Sequence, residues 1–219
     1  MARSDAARTA LLDAAERLFA ESGIAQVSDR KVAEGAGNTN HSAVRYYFDG
    51  RVGLLHALIT RHLTPLEGPR QAMSARSDSV LGDVRSLVVP FTDALAALPQ
   101  PSSRARFLVQ ALHDPTAAGL LRESADLAPS ASAITHSVVA RLHHLDRDVT
   151  MGRARLMTRI VSTTCADVEA LSERDGTAPS WQAVGDFLAD AIAGMLSAPV
   201  THRSGVPLGV TDHPAALLL

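Results

Sequence analysis

Apolar residues recur along this chain at the three- and four-residue spacing of helices, and no segment alternates apolar and polar positions between turns as a half-buried strand does. The pattern predicts an all-α fold. Leu11, Leu12, Ala15, Leu18 and Phe19 make one stripe of a first helix running from about residue 4 or 5 to Ser22, with Gly23 as its stop. Ser28 is suited to cap a short second helix through Glu34. Gly35, Ala36 and Gly37 then break the chain, and a third short helix follows from about Asn40 to Tyr47. Asp49 and Gly50 precede a fourth helix, Arg51 to about His62, with Leu54, Leu55, Leu58 and Ile59 on one face. The breaker-rich stretch Thr64 to Pro69 predicts a boundary. Beyond it, helices are expected over about 77–98, 104–113, 115–124, 129–145, 148–174 and 180–197. Pro90 should kink the first of these, and Asp114–Pro115 reads as a cap followed by a first-turn proline. The expected organisation is a unit over 1–62, a helical bundle over 63–198 and an irregular tail over 199–219.

The 219 residues, 46% hydrophobic and 20% charged, are enough for a substantial core and ordinary for a globular chain. A single cysteine, Cys165, excludes an internal disulfide framework and any multi-cysteine metal site, and fits a reducing, cytoplasmic compartment. No run of about eighteen apolar residues occurs, and the N-terminus has no signal-peptide core, so neither secretion nor membrane insertion is expected. The net charge of −2 argues against a protein that coats nucleic acid along its whole surface. Charge is uneven, however: residues 1–62 carry eight basic against seven acidic side chains, and the remainder thirteen against sixteen. Only the N-terminal part is a plausible polyanion binder.

The informative segment is Ser28 to Leu55, preceded by the helix LLDAAERLFAESG. Two short helices joined by a glycine-containing turn, each too small to be stable alone, form the helix-turn-helix pattern whose second helix enters the DNA major groove. Ala43, Val44 and Phe48 would pack inward on the first helix. Asn40, His41, Ser42, Arg45 and Tyr46 or Tyr47 are then left outward, all able to hydrogen-bond in a groove. Arg45 suits a guanine fork and Asn40 an adenine edge. Ser28 and Arg30 at the start of the second helix suit a phosphate run. Arg3 and Arg8 suggest a basic arm that reaches a neighbouring minor groove.

Over roughly residues 8–60 the sequence resembles the tetracycline-repressor (TetR) family of bacterial transcriptional regulators. The features match in order: AAxxLFAExG, a serine before the second helix, VAxxAG, and YYF followed by Arg51 and a leucine pair. Eleven residues run from Asn38 to Phe48, one more than the commonest family pattern, which implies a lengthened turn. Val52–Gly53 stands where acidic residues are usual. The resemblance implies phosphate contacts from Tyr47 and Arg51. It also implies a homodimer through the last two helices, a palindromic operator on double-stranded DNA, and a one-component regulator, usually a repressor, released by a small-molecule effector.

The last helix carries Trp181, Val184, Phe187, Leu188, Ala191, Ile192 and Met195, more apolar surface than one face needs, and with the C-terminal half of the preceding helix it is assigned to the dimer seam. Phe91, Phe107, Gln110, His113, His136, Thr164 and Asp167, polar or aromatic residues on apolar helical faces, are candidates for the lining of an effector cavity between helices. The adjacent His143 and His144 point apart on a helix and are expected at the surface, so no metal and no cofactor are anticipated. No GxSxG, HExxH, P-loop or Rossmann pattern is present, and the chain is not expected to be an enzyme. The alternatives are a helical adaptor, or a DNA-binding protein without effector response.

Overall fold

A computed structural model describes residues 2–201. The tail expected over 199–219 therefore lies largely outside the described residues. Eleven α-helices follow one another among these residues: α1 (Ala2–Ser22), α2 (Asp29–Gly35), α3 (Ala43–Phe48), α4 (Arg51–Leu63), α5 (Glu67–Ser74), α6 (Val80–Ala96), α7 (Arg104–His113), α8 (Pro115–Glu123), α9 (Pro129–Arg141), α10 (Arg147–Asp175) and α11 (Trp181–Ser197). Short 3-10 turns sit at Ile24–Gln26, Thr64–Leu66 and Ser124–Leu127. The fold is all-α, an N-terminal helix-turn-helix unit followed by a helical bundle. No described helix is long and apolar enough to cross a membrane.

Leu11, Ala15 and Phe19 of α1 are fully buried, as are Val32 and Ala33 of α2, Ala43 and Val44 of α3, and Leu54, Leu58 and Ile59 of α4. Three short helices thus share one core on the long one, which is how elements too short to persist alone are held. In the bundle α6 is the central helix and packs on α5, α9 and α11, while α7 lies between α1 and α10. The α6–α11 crossing is close because Gly185 has no side chain: a Cβ there would stand 2.4 Å from Thr92 Oγ1. Asp114 caps α8 by accepting from the amides of Thr116 and Ala117 at 3.0 and 2.9 Å. Pro90 lies buried within α6.

Three expectations are corrected. The stretch 64–69 is helical, because Pro65 and Pro69 both fall in first turns, where a missing amide breaks no hydrogen bond, and α5 follows α4 almost without interruption. α1 already begins at Ala2, so Arg8 lies on a helix instead of an arm, with its guanidinium 4.8 Å from the centre of the Phe48 ring; the Arg3 side chain lies outside the described residues. α9 ends at Arg141, short of the expected 145, and His143 and His144 follow it in a turn, both exposed as expected.

α11 has a consequence for assembly. Trp181, Leu188, Ile192 and Leu196 are buried, so their surplus apolar surface closes the core of the same protomer against α6. Ala183, Phe187, Ala191 and Gly194 are exposed at helical spacing on the other side, and Phe187 is 70% exposed. On α10, Leu156 and Leu171 are also exposed.

Candidate nucleic-acid interface

The turn between α2 and α3 explains the extra residue. α2 begins under the Ser28 cap, whose hydroxyl accepts from the Lys31 amide at 3.2 Å. After α2 the Asn38 carboxamide oxygen accepts from the Asn40 amide at 2.9 Å, and that of Asn40 accepts from the Ser42 amide at 3.0 Å. Two consecutive asparagine turns thus carry the chain to α3, whose first helical residue is Ala43. The helix expected from Asn40 starts three residues later, since the side chains of Asn38 and Asn40 compete with helical hydrogen bonding. Asn40, His41 and Ser42 therefore stand exposed on the turn, and the Asn40 oxygen is committed to its own backbone.

α3 turns Ala43, Val44 and Phe48 inward and leaves Arg45 and Tyr46 exposed, the latter at 77%. Tyr47 is half-buried and meets Tyr46 edge to face at 4.9 Å. Among the described residues Arg45 has no ion-pair partner, which leaves its fork free. Arg30 pairs with Glu34 at 2.7 Å one turn later on α2, and His41 Nδ1 lies 3.8 Å from the same carboxylate. The hydrogen bond from Arg30 holds the Glu34 carboxyl below its usual range. Lys31 and Thr39, which the sequence reading passed over, are exposed in the same segment. Lys31 lies on the outer side of α2, and Thr39 is exposed because α3 starts three residues late, which periodicity does not register.

Arg51 is tied into the fold. Its guanidinium lies 4.4 Å from the centre of the Phe19 ring, pairs with Asp29 at 3.2 Å and donates to the Ile24 carbonyl. It joins α1, α2 and α4 while staying partly exposed, so two of its donors are taken up within the fold. The departure at Val52–Gly53 also has a cause. A Cβ at Gly53 would lie 1.7 Å from the Phe48 carbonyl oxygen, so the close entry into α4 admits only glycine.

The candidates for an effector cavity are not brought together. Phe107 is fully buried between the rings of Phe19, 6.2 Å away, and His62, 5.3 Å away, so it joins the two parts of the molecule. Gln110, half-buried, reaches Gly23 at the end of α1. His113 and His136 are exposed, each with Nδ1 against a carbonyl of its own helix at 2.7 and 2.8 Å. Asp167 is exposed and Thr164 half-buried on α10. Phe91 borders a cavity of about 10 Å³ with His62, Leu66 and Arg104; that is room for one water molecule.

Around that cavity lies a buried ionic cluster linking α1, α4 and α7. Glu16 faces His62 at 3.4 Å, Arg104 at 3.6 Å and Arg61 at 3.9 Å, and Arg61 also pairs with Asp13 at 2.6 Å. Burial lowers the His62 pKa against the pull of Glu16, so the ring is neutral at pH 7. Burial raises the Glu16 carboxyl, but His62, Arg104 and Arg61 outweigh it and the net shift is downward. The thiol of Cys165 is pushed up to about 12, chiefly by burial and then by Glu169, and stays protonated. No group of three or more histidine, cysteine or acidic residues suited to a metal occurs among the described residues.

Comparison with known proteins bears on the N-terminal unit. Residues 11–58, from α1 into α4, match the family described as bacterial regulatory proteins, tetR family. Among solved structures, the crystal structure of RolR in complex with resorcinol is similar in arrangement, with a TM-score of 0.42 and 16% sequence identity over 92% of this chain and 98% of that one. No curated protein matches the sequence. The surface helix α3, carried on a core that closes around α1, lies inside the matched segment, so residues 11–58 form the helix-turn-helix DNA-binding unit found in the tetR family of bacterial regulatory proteins, and the chain is a transcriptional regulator.

Proposed function

We propose that the protein is a homodimeric, cytoplasmic repressor that binds a palindromic operator and releases it when a small molecule occupies the helical bundle. The observation that carries this reading is the exposed end of the N-terminal unit. Arg45, Tyr46, His41, Ser42 and Thr39 stand on a helix and turn whose backbone is fixed by buried Ala43 and Val44, so side chains able to read bases are held on a rigid base. Ser28 and Lys31 at the start of α2 suit the neighbouring phosphates, and Arg30 joins them once it exchanges Glu34 for a phosphate.

A single helix-turn-helix makes few contacts, and two-fold pairing doubles them over half-sites one helical turn apart. The exposed stripe Ala183, Phe187, Ala191 and Gly194 of α11, beside exposed Leu156 and Leu171 of α10, supplies apolar surface for that pairing. Release requires a ligand that binds more tightly to the form in which the two α3 helices are misplaced. Selection of duplexes from a random pool by the purified protein tests the reading. A two-fold symmetric site bound with a steep decline as salt rises is expected, and weak binding without sequence preference defeats it.

A further inference from the structure

Arg70, on α5, is fully buried, and none of its three guanidinium nitrogens has a hydrogen-bond partner. Two half-buried arginines of the bundle have acceptors. Arg141 donates to the Asp83 carboxylate at 2.9 Å and to the Asp78 and Ser77 carbonyls at 2.6 and 3.1 Å. Arg106 pairs with Glu169 at 3.3 Å and Glu173 at 2.6 Å. Arg70 is the most deeply buried arginine among the described residues and is left with five open N–H groups.

The nearest acid is Glu67, one turn earlier on α5. One of its oxygens accepts from the Ser130 amide at 2.8 Å and so fastens α5 to the start of α9, and the other has no partner. It forms no ion pair with Arg70. Burial lowers the Arg70 pKa to about 10, with Glu67 acting in the opposite direction, so the group stays cationic at neutral pH. A buried cation with no paired donor is retained only where something supplies the acceptor. α5 packs against α6 and α9, which bury aliphatic Val84, Leu87, Val88, Ile134 and Val138 beside Ser86, Thr92 and Thr135, while the one buried carboxylate there, Asp83, is taken by Arg141, Ser77 and Ser137. A guanidinium fork matches a carboxylate oxygen pair, and a single cation matches a single negative charge.

We propose that Arg70 is the acid-recognising group of the effector site, and that the effector is a monocarboxylic acid with an apolar body, its carboxylate taking the open guanidinium donors at α5. This rests on the effector response proposed above. It also gives that response a route, because α5 continues α4 through the turn Thr64–Leu66 and α4 belongs to the core beneath α3. A ligand that draws on Arg70 therefore pulls directly on the helix that positions the DNA-binding unit.

The test is thermal unfolding of the full chain, wild type, Arg70→Met and Arg70→Lys, with benzoate, hexanoate and decanoate and with the neutral amide of each. At least one acid should raise the wild-type Tm by several degrees while its amide does not. Arg70→Met should weaken that binding at least tenfold, with Arg70→Lys in between. Arg70→Met should itself fold, since it removes an unpaired charge. If it does not, the acid-against-amide difference in the wild type and its reduction in Arg70→Lys decide the question. The proposal is overturned if no acid raises the wild-type Tm beyond its amide, or if the variants respond as the wild type does. Operator titrations separate the two readings. An Arg70-dependent acid that leaves operator affinity unchanged keeps the site and removes the effector response. Release by a neutral compound, unaffected by Arg70→Met, keeps the response and removes this site.

Discussion

Arg45 and Arg51 lie six positions apart, and both belong to the segment that faces DNA in a helix-turn-helix. Their surroundings give them different work. Arg45 is exposed with a free fork, whereas Arg51 is held by the Phe19 ring, Asp29 and the Ile24 carbonyl. Arg51→Ala should therefore lower the stability of the free protein by about 2 kcal/mol, from the lost cation–π contact and the unpaired carbonyl. Arg45→Ala should change it by less than about 0.5 kcal/mol, as surface substitutions do. Urea denaturation of both variants checks this, and equal losses would refute the division. Periodicity showed that both side chains could reach the surface. It did not show that Arg51 folds back, because the three groups that hold it come from other parts of the chain, at positions 19, 24 and 29. The commitment of Asn40 to the Ser42 amide was hidden for a different reason: an asparagine three residues before a helix suits a turn and a base edge equally.

At the scale of elements, most helices were legible from apolar spacing and caps, including the Ser28 cap of α2 and the Asp114 cap of α8. α5 was not, because Pro65, Gly68 and Pro69 read as breakers although each occupies a first turn. The two faces of α11 were also inseparable in sequence, since both are apolar. The fold separates them, and substitution tests the separation. Phe187→Asp should leave a folded protein whose sedimentation shifts from dimer to monomer. Ile192→Asp should unfold it at any concentration, because a carboxylate buried against α6 has no partner. A folded monomeric Ile192→Asp would contradict this account of α11.

The cluster joining α1, α4 and α7 makes acid sensitivity a property of the junction. His62 has a folded pKa below its unfolded value, so the unfolded chain takes up more protons as pH falls below about 6.5, and stability falls with it. Glu16, also lowered, adds a further loss once pH drops below the ordinary carboxylate range. The Tm of the wild type should decline between pH 7 and 5.5, and His62→Phe should flatten that interval while keeping the later, Glu16-dependent fall. A wild-type Tm constant from pH 7 to 5.5 would show that the His62 ring gains its proton equally well in the folded state.

For the whole molecule, the α1–α7 contact, the Phe19–Phe107–His62 stack and the continuity of α4 with α5 tie the DNA-binding unit to the bundle over a wide, buried area. That arrangement suits transmission from the bundle to α3 through packed elements with few alternatives. The candidate effector residues were chosen in sequence as polar positions on apolar faces, a criterion that exposed His113 and His136 also satisfy. Arg70 escaped it because a lone arginine in a breaker-rich stretch reads as solvated. The claim on which all else depends is that α3 reads DNA sequence. Fluorescence anisotropy of wild type and Arg45→Ala on the selected duplex and on a scrambled duplex, across a salt series, measures it most directly. The account predicts that Arg45→Ala loses about 1–3 kcal/mol on the selected duplex and little on the scrambled one, with the salt slope nearly unchanged. Equal losses on both duplexes, or none on either, would contradict it.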